Sequence, residues 1–345
     1  MANPRSDRGS RTHALRCLLL VAAITGWACE VTYTAGDDQP VAGDGPLGLM
    51  PIETVNSETM AVTEGPDGSL WVVTKYDVVR FPKGDLTHRQ VVLDPQIFQQ
   101  QLGAPMDALS AGVVASDGVL WLGSWEGEVF RQHQGRWLRY ITKDHGFNGK
   151  VSGIVLNDRA DRMWMGAYEA LWEAVKEGNT LDFVIEDRIE DVAMGADGSV
   201  AAATFDTVYR YADGEAEVLW RRAENDGLIA SVSRRGTGWL VGTQDGWFHL
   251  EPTGAVSERQ MAGRWVMSAL DHPSGLVVGA WRSGLWFEVD GAFHPLGSAQ
   301  GLPGDKVYDL HVDRDERLWI GLYDGGPWVG DLAALRETAR TLAGS

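Results

Sequence analysis

The chain has 345 residues, 44% apolar and 23% charged, with 42 Gly, 15 Trp and only 2 Cys. That composition excludes a disordered chain, a collagen-like repeat and a disulfide-stapled miniprotein. The formal charge of −18 argues against nucleic acid or anionic lipid as a surface partner and leaves cationic, neutral or sugar-like ones.

In chain order, residues 1–16 hold Arg5, Arg8, Arg11 and Arg16 against the single acid Asp7, and Cys17–Ala28 is apolar. An apolar stretch this short rises only ~18 Å as a helix, against a hydrocarbon core of ~30 Å. A secretory signal over 1–28 therefore fits better than a spanning helix. It ends Gly26-Trp27-Ala28-Cys29, which resembles a bacterial lipobox, with Trp27 where a small residue and Gly26 where Leu is usual. The expectation is lipidation of Cys29 and placement in the cell envelope, periplasmic or outer-membrane; cleavage near Ala28 and free secretion is the alternative. No Cys follows Cys29, so no disulfide is expected in the mature domain. Residues 30–48 are rich in Gly, Asp and Pro and read as a flexible tether, so anchor and linker together span 29–48.

From residue 49 one phrase recurs: an Asp- or Gly-rich turn, a short apolar strand with Trp, then a small residue. The copies are PDGSLWVVT, SDGVLWLGS, ADRMWMGA, ADGSVAAAT, GTGWLVGT, PSGLVVGA and DERLWIGL, at a spacing of 37–50 residues. Aligned on that small residue, the column reads Trp71, Trp121, Trp164, Ala201, Leu240, Val277 and Trp319. Its Trp residues are expected as core between blades. A strand-like run precedes each copy, and others follow most of them. Four short strands per ~40 residues is the period of a propeller, and the Asp-Gly turns supply the positive φ of tight hairpins. The reading is all-β: a seven-bladed β-propeller over 49–331. LMPIETV (49–55) is expected to supply the outer strand that the last copy lacks. Leu332, Leu335 and Leu342 share a helical face, so 332–345 is a tail or short helix.

GFNGKVSGIVLNDRADRMWMG (146–166) and GLPGDKVYDLHVDRDERLWIG (301–321) resemble the two-component-regulator propeller repeat, and the resemblance extends over about residues 49–330. It implies the periplasmic sensor half of a membrane histidine kinase, in a family some of whose members bind saccharides. No kinase or DNA-binding segment follows the last repeat, so a stand-alone propeller is expected.

The turns between second and third strands read Tyr76-Asp77, Trp125-Glu126, Tyr168-Glu169, Phe205-Asp206, Gln244-Asp245, Trp281-Arg282 and Tyr323-Asp324. An aromatic comes first in six and an acid second in six. Large aromatics are poor turn formers, which points to a ring of aromatic faces and carboxylates on one face of the propeller. Such faces stack on sugars or cations, and carboxylates accept from hydroxyls or pair with amines. Arg282 interrupts the ring. Blade-to-blade loops add Met106-Asp107, Lys150, Arg264-Trp265 and Asp305-Lys306, of which Arg264 and Trp265 are the main candidates. The opposing reading is that the aromatics pack between blades while the acids solvate the rim.

No HExxH, GxSxG, P-loop or paired Cys occurs, so neither cofactor nor metal is expected. Asp67, Asp117 and Asp197 sit in isolated Asp-Gly turns without the alternating acids of a calcium loop. His311 lies on an inner strand and is read as a packed residue. Three functions remain. The first is an extracytoplasmic binding or sensing module for a small molecule, glycan, peptide or envelope protein. The second is a metal-dependent enzyme resembling streptogramin lyases, which would need a His on the top face. The third is an envelope scaffold.

Overall fold

The computed structural model describes residues 47–54, 58–141, 149–176, 181–224 and 226–343. The signal, Cys29 and nearly all of the tether lie outside them. The described chain forms seven antiparallel sheets whose first strands contact one another in a closed circle. The blades start at Thr59–Glu64, Leu109–Val114, Val151–Asn157, Asp191–Met194, Ile229–Arg235, Trp265–Leu270 and Val307–Val312. They are blades 1 to 7 below. Six blades have four strands. Blade 5 has three (Ile229–Arg235, Gly238–Thr243, Gly246–Leu250), and its outer edge is met by isolated bridges from Gln260 and Val256.

The hairpins form where the sequence places Asp-Gly. In blades 1, 2 and 4 the carboxylates of Asp67, Asp117 and Asp197 accept from the backbone N–H two residues on, at 2.9–3.0 Å. Gly68, Gly118 and Gly198 take φ of 76°, 82° and 86°, a region closed to most side chains. The carboxylates are therefore spent on turns. Ring closure also follows expectation: Met50–Pro51 pairs antiparallel with Gly326–Asp331 as the outer strand of blade 7. N-terminal residues thus complete the last sheet, and no blade edge is left open between first and last.

The column Trp71, Trp121, Trp164 and Trp319 is buried between blades, at 0–7% exposure. A second repeated device sets the blade spacing. Each Gly two residues past that column faces the first core residue of the next inner strand. A Cβ placed on Gly123, Gly166 or Gly279 would come within 2.5, 2.7 and 2.6 Å of Val151, Ile189 and Val307.

Two elements differ from expectation. Pro95–Leu102 forms a helix, α1, between blades 1 and 2. Asp94 caps it by accepting from Ile97 N (2.7 Å), Pro95 opens it, and Gly103 at φ 71° ends it. Phe98 on its inner face is 1% exposed and meets Phe130 edge-on at 5.1 Å, a burial worth roughly 1.5–3 kcal/mol. Leu332–Ala343 is indeed a helix, α2, but its buried face is Leu332, Leu335 and Ala339, while Leu342 is 45% exposed. The i, i+3, i+7 face wins because α2 lies against blades 6 and 7. Arg336 anchors it there, donating to Glu288 O and Gly275 O.

Gly279→Val should force blades 6 and 7 apart and cost about 1–3 kcal/mol or more. Urea denaturation would show this as a lower midpoint; an unchanged midpoint would refute the role assigned to that glycine.

Candidate functional site

The seven second-to-third turns begin with a hydroxyl in four blades. Thr74, Ser124, Thr204 and Thr243 accept through their side-chain oxygens from Asp77 N, Glu128 N, Thr207 N and Asp245 N, at 2.9–3.1 Å. These bonds tighten the turn and push the residue after the hydroxyl outward. In three of these turns an acid belongs to the same network. Asp77 is fully buried and accepts from the Thr74 hydroxyl. It does not reach the rim, a correction to its place among the ligand contacts. Asp206 accepts from the hydroxyls of Thr207 (2.7 Å) and Thr204 (3.2 Å). The Thr207 bond leads in holding its carboxyl below the usual range. Asp245 accepts from Gly263 N and lies 3.7 Å from Arg259. Glu126, Glu169 and Asp324 are exposed, and Asp324 takes a 2.6 Å bond from Lys306.

The aromatics behave differently. Tyr76, Trp125 and Phe205 are 37–42% exposed, while Tyr168, Trp281 and Tyr323 are half-buried. Trp265 meets Trp281 at 5.7 Å, Trp281 meets Tyr323 at 5.1 Å, and Tyr323 meets Tyr308 at 6.2 Å. These rings run continuously across blades 6 and 7. Arg264 leaves this run and lies over Trp286 (5.4 Å) instead. Arg282 is exposed at φ 62° in its turn.

What lies between the aromatics is cationic, and two of these cations, Lys150 and Lys306, come from the blade-to-blade loops expected on this face. Arg188 sits 3.8 Å from the Tyr168 ring centre and 4.7 Å from that of Phe205. Lys306 lies 5.5 Å from Trp281 and 5.7 Å from Tyr323. Lys150 is 4.9 Å over Trp125, and Lys75 is 5.7 Å over Tyr76. Each such contact is worth ~0.5–2 kcal/mol. Lys150 and Lys306 directly precede the inner strands Val151–Asn157 and Val307–Val312, while Arg188 lies three residues ahead of Asp191–Met194. Arg188 and Lys75 are not among the residues expected on this face.

Beneath this rim a channel of about 390 Å³ runs between the inner strands. Lys150 of blade 3 donates to the hydroxyl of Tyr308 on blade 7 (3.3 Å), so it reaches across the mouth. Below it, Asp191 accepts from Val192 N (2.8 Å) and from Val232 N of the next blade (2.9 Å). Asp309 accepts from Val62 N of blade 1 (2.8 Å) and so staples the seam where the ring closes. Burial pushes Asp191 up to about 7 and Asp309 up to about 6, against the pull of those N–H donors. Burial opposes the charge on Lys150, yet the Tyr308 oxygen and nearby Glu190 hold its pKa above the usual lysine value. His311 is lowered by burial, and its Nε2 finds no hydrogen-bond partner among the described residues. Among those residues no three His, Cys, Asp or Glu side chains are grouped to share a metal ion.

Comparison with known proteins fits this architecture. The two component regulator propeller family matches residues 301–324, so the chain carries that repeat in blade 7. No curated protein sequence matches it significantly. Among solved structures, the extracellular domain of BT4673 from B. thetaiotaomicron, described as a hybrid two component system, superposes with TM-score 0.67 at 17% identity. The match covers 81% of this chain and 39% of that one, so the chain spans about two fifths of that structure. Streptogramin B lyase matches with TM-score 0.66 at 12% identity, over 82% of this chain and 97% of the lyase. YCF48 bound to D1 peptide matches with TM-score 0.64 at 12% identity, over 84% and 96%. At these identities the likeness is one of fold.

A buried carboxyl with a raised pKa favours the folded state while it carries its proton. That stability is complete below the unfolded pKa and is lost as pH rises through the folded values near 6 and 7. The melting midpoint should therefore rise between about pH 8 and about pH 5. Asp191→Asn should flatten that slope, whatever it does to the midpoint itself. Calorimetry across the range checks both, and a slope unchanged by the substitution would contradict the assignment.

Proposed function

We propose that this two-component-regulator-type propeller is an extracytoplasmic recognition module that binds an organic ligand at the aromatic mouth of its axial channel. The observation that carries this is the joining of blades 6, 7 and 3 at one opening. Trp265, Trp281, Tyr323 and Tyr308 form a continuous aromatic wall, and Lys150 closes on it from the far side. Rings that only packed between blades would be buried like Trp121 and Trp319, at 1% and 0%; Trp125 is 42% exposed. The channel beneath has room for part of a small ligand. The extracellular BT4673 domain and the peptide-bound YCF48 share the fold and agree with such a role.

The site's chemistry suits a glycan, peptide or small molecule with a stackable face and polar groups for Lys150, Glu169 and Arg282. In this reading the protein is exported under residues 1–28 and anchored through Cys29, with 30–48 as a tether that would hold the mouth off a membrane surface. Recognition there is a sensing step.

The mouth is tested by screening the purified protein against soluble glycans and short peptides by thermal shift, then titrating each binder. Replacing Trp125 and Trp281 together with Ala should weaken binding roughly tenfold to hundredfold while the melting transition stays cooperative. Unchanged affinity in that variant would remove the reading. Cys29→Ala should shift the protein from the membrane fraction to the soluble exported fraction; retention on the membrane would count against the lipid anchor.

A further inference from the structure

Four cations lie over the turn aromatics of the mouth, and one of them is served differently from the rest. Lys75 lies over Tyr76 and pairs with Glu58 at 2.9 Å. Lys306 lies over Trp281 and Tyr323 and pairs with Asp324 at 2.6 Å. Arg188 lies over Tyr168 and Phe205 and pairs with Glu190. Each therefore has both a ring face and a carboxylate. Lys150 has the ring, Trp125 at 4.9 Å, but among the described residues it pairs with no carboxylate. Its hydrogen bond there is to the Tyr308 hydroxyl, at 3.3 Å.

An ammonium has three N–H donors, and a phenol that accepts from one of them still has its own O–H to give. Lys150 and Tyr308 are half-buried, and both line the channel. Two N–H groups and one O–H are thus left there with no acceptor among the described residues. The acids lining the same channel are already engaged. Glu190 is held by Arg188. Asp191 accepts from Val192 N and Val232 N, and Asp309 accepts from Val62 N, so these carboxyls are tied to the walls. Burial also favours their neutral form. Lys150 keeps its charge, because the Tyr308 oxygen and Glu190 outweigh the cost of burial. Donors are therefore in surplus at the head of the channel, and one of them is a cation.

We infer that Lys150 and Tyr308 together take a carboxylate of the ligand at the head of the channel, one oxygen on the ammonium and the other on the phenol. The inference rests on the mouth being a recognition face and specifies one contact within it. The ligand thereby supplies what Glu58, Asp324 and Glu190 supply to the other three cations. The carbon skeleton behind the carboxylate lies along Tyr323 and Trp281, the aromatic wall that begins at Tyr308. The chain's charge of −18 repels anions at a distance. At about 0.15 M salt that repulsion is screened beyond ~8 Å, whereas hydrogen bonds from an ammonium to a carboxylate act at contact.

The test titrates two acids and their uncharged counterparts into the purified protein by calorimetry, at about 0.15 M salt. The pairs are glucuronate against glucose, and N-acetylphenylalanine against its amide. At least one acid should saturate while its counterpart does not. Saturation by glucuronate points to a sugar acid as the source, and saturation by N-acetylphenylalanine to a peptide C-terminus. Lys150→Gln should weaken the bound acid on the order of tenfold or more, and Tyr308→Phe, which keeps the ring, about tenfold. Should Lys150→Gln lose its cooperative melting transition, Tyr308→Phe decides. Absence of saturation by both acids, equal binding of the uncharged counterpart, or wild-type affinity in either folded variant would overturn the inference. A screened ligand that is lost in the Trp125/Trp281 double variant but kept in Lys150→Gln would leave the recognition face standing and remove the carboxylate contact alone.

Discussion

The architecture depends on how closely one blade can approach the next. On the second strand of most blades a Gly offers no side chain, and the first core residue of the following inner strand moves into that space. Gly123 meets Val151, Gly166 meets Ile189, Gly279 meets Val307 and Gly321 meets Thr59. In blade 1 that position is Val73, and Gly112, three residues past Leu109 on the next inner strand, leaves room for it. Close packing of this kind leaves no slack. It sets the angle between sheets, and that angle summed over seven blades closes the circle and brings Met50–Pro51 beside Gly326–Asp331.

The same approach builds the mouth. In blades 2, 4 and 5 a backbone N–H at or just before the inner strand is tied to the turn of the preceding blade, and in blades 1, 2, 5 and 7 the turn is tied back to the residue before that blade's inner strand. The residue before the inner strand is therefore carried into the gap between two turns. A long cation in that place covers the neighbouring rings without being desolvated completely. Lys306 and Arg188 also keep a carboxylate at hand, Asp324 for one and Glu190 for the other. Lys150 instead meets a hydroxyl from the far side of the ring. Beneath them Asp191 and Asp309 hold backbone N–H groups of the next blade. Two acids so placed give the channel a charge that depends on pH, within a chain that is acidic throughout.

Most of the architecture was legible because it is local and repeated. Period, hairpin turns and the Trp column are written in contiguous residues, and the need for an outer strand in blade 7 followed from counting strands. Helix α1 was also legible in principle: Asp94, Pro95 and Gly103 are its start and stop signals, but with Phe98 as its one buried side chain its eight residues are too few for a helical period to stand out. The turn acids misled because an acid after an aromatic has two uses. Asp77 and Asp206 serve the turn through Thr74, Thr204 and Thr207, and a threonine at a strand end gives little hint of that. Arg188 was not legible because it lies on a different segment from both rings it covers, Tyr168 and Phe205.

The order of residues alone determined a seven-bladed all-β ring with indole-rich interfaces, since those features rest on neighbours in the chain and on a period that any sevenfold alignment exposes. Which acids stay at the rim, which cations cover which rings, and that Lys150 spans to Tyr308 were decided only when the blades came together. Those contacts join residues as far as 158 positions apart, and their geometry is set by packing between sheets, which no single strand encodes.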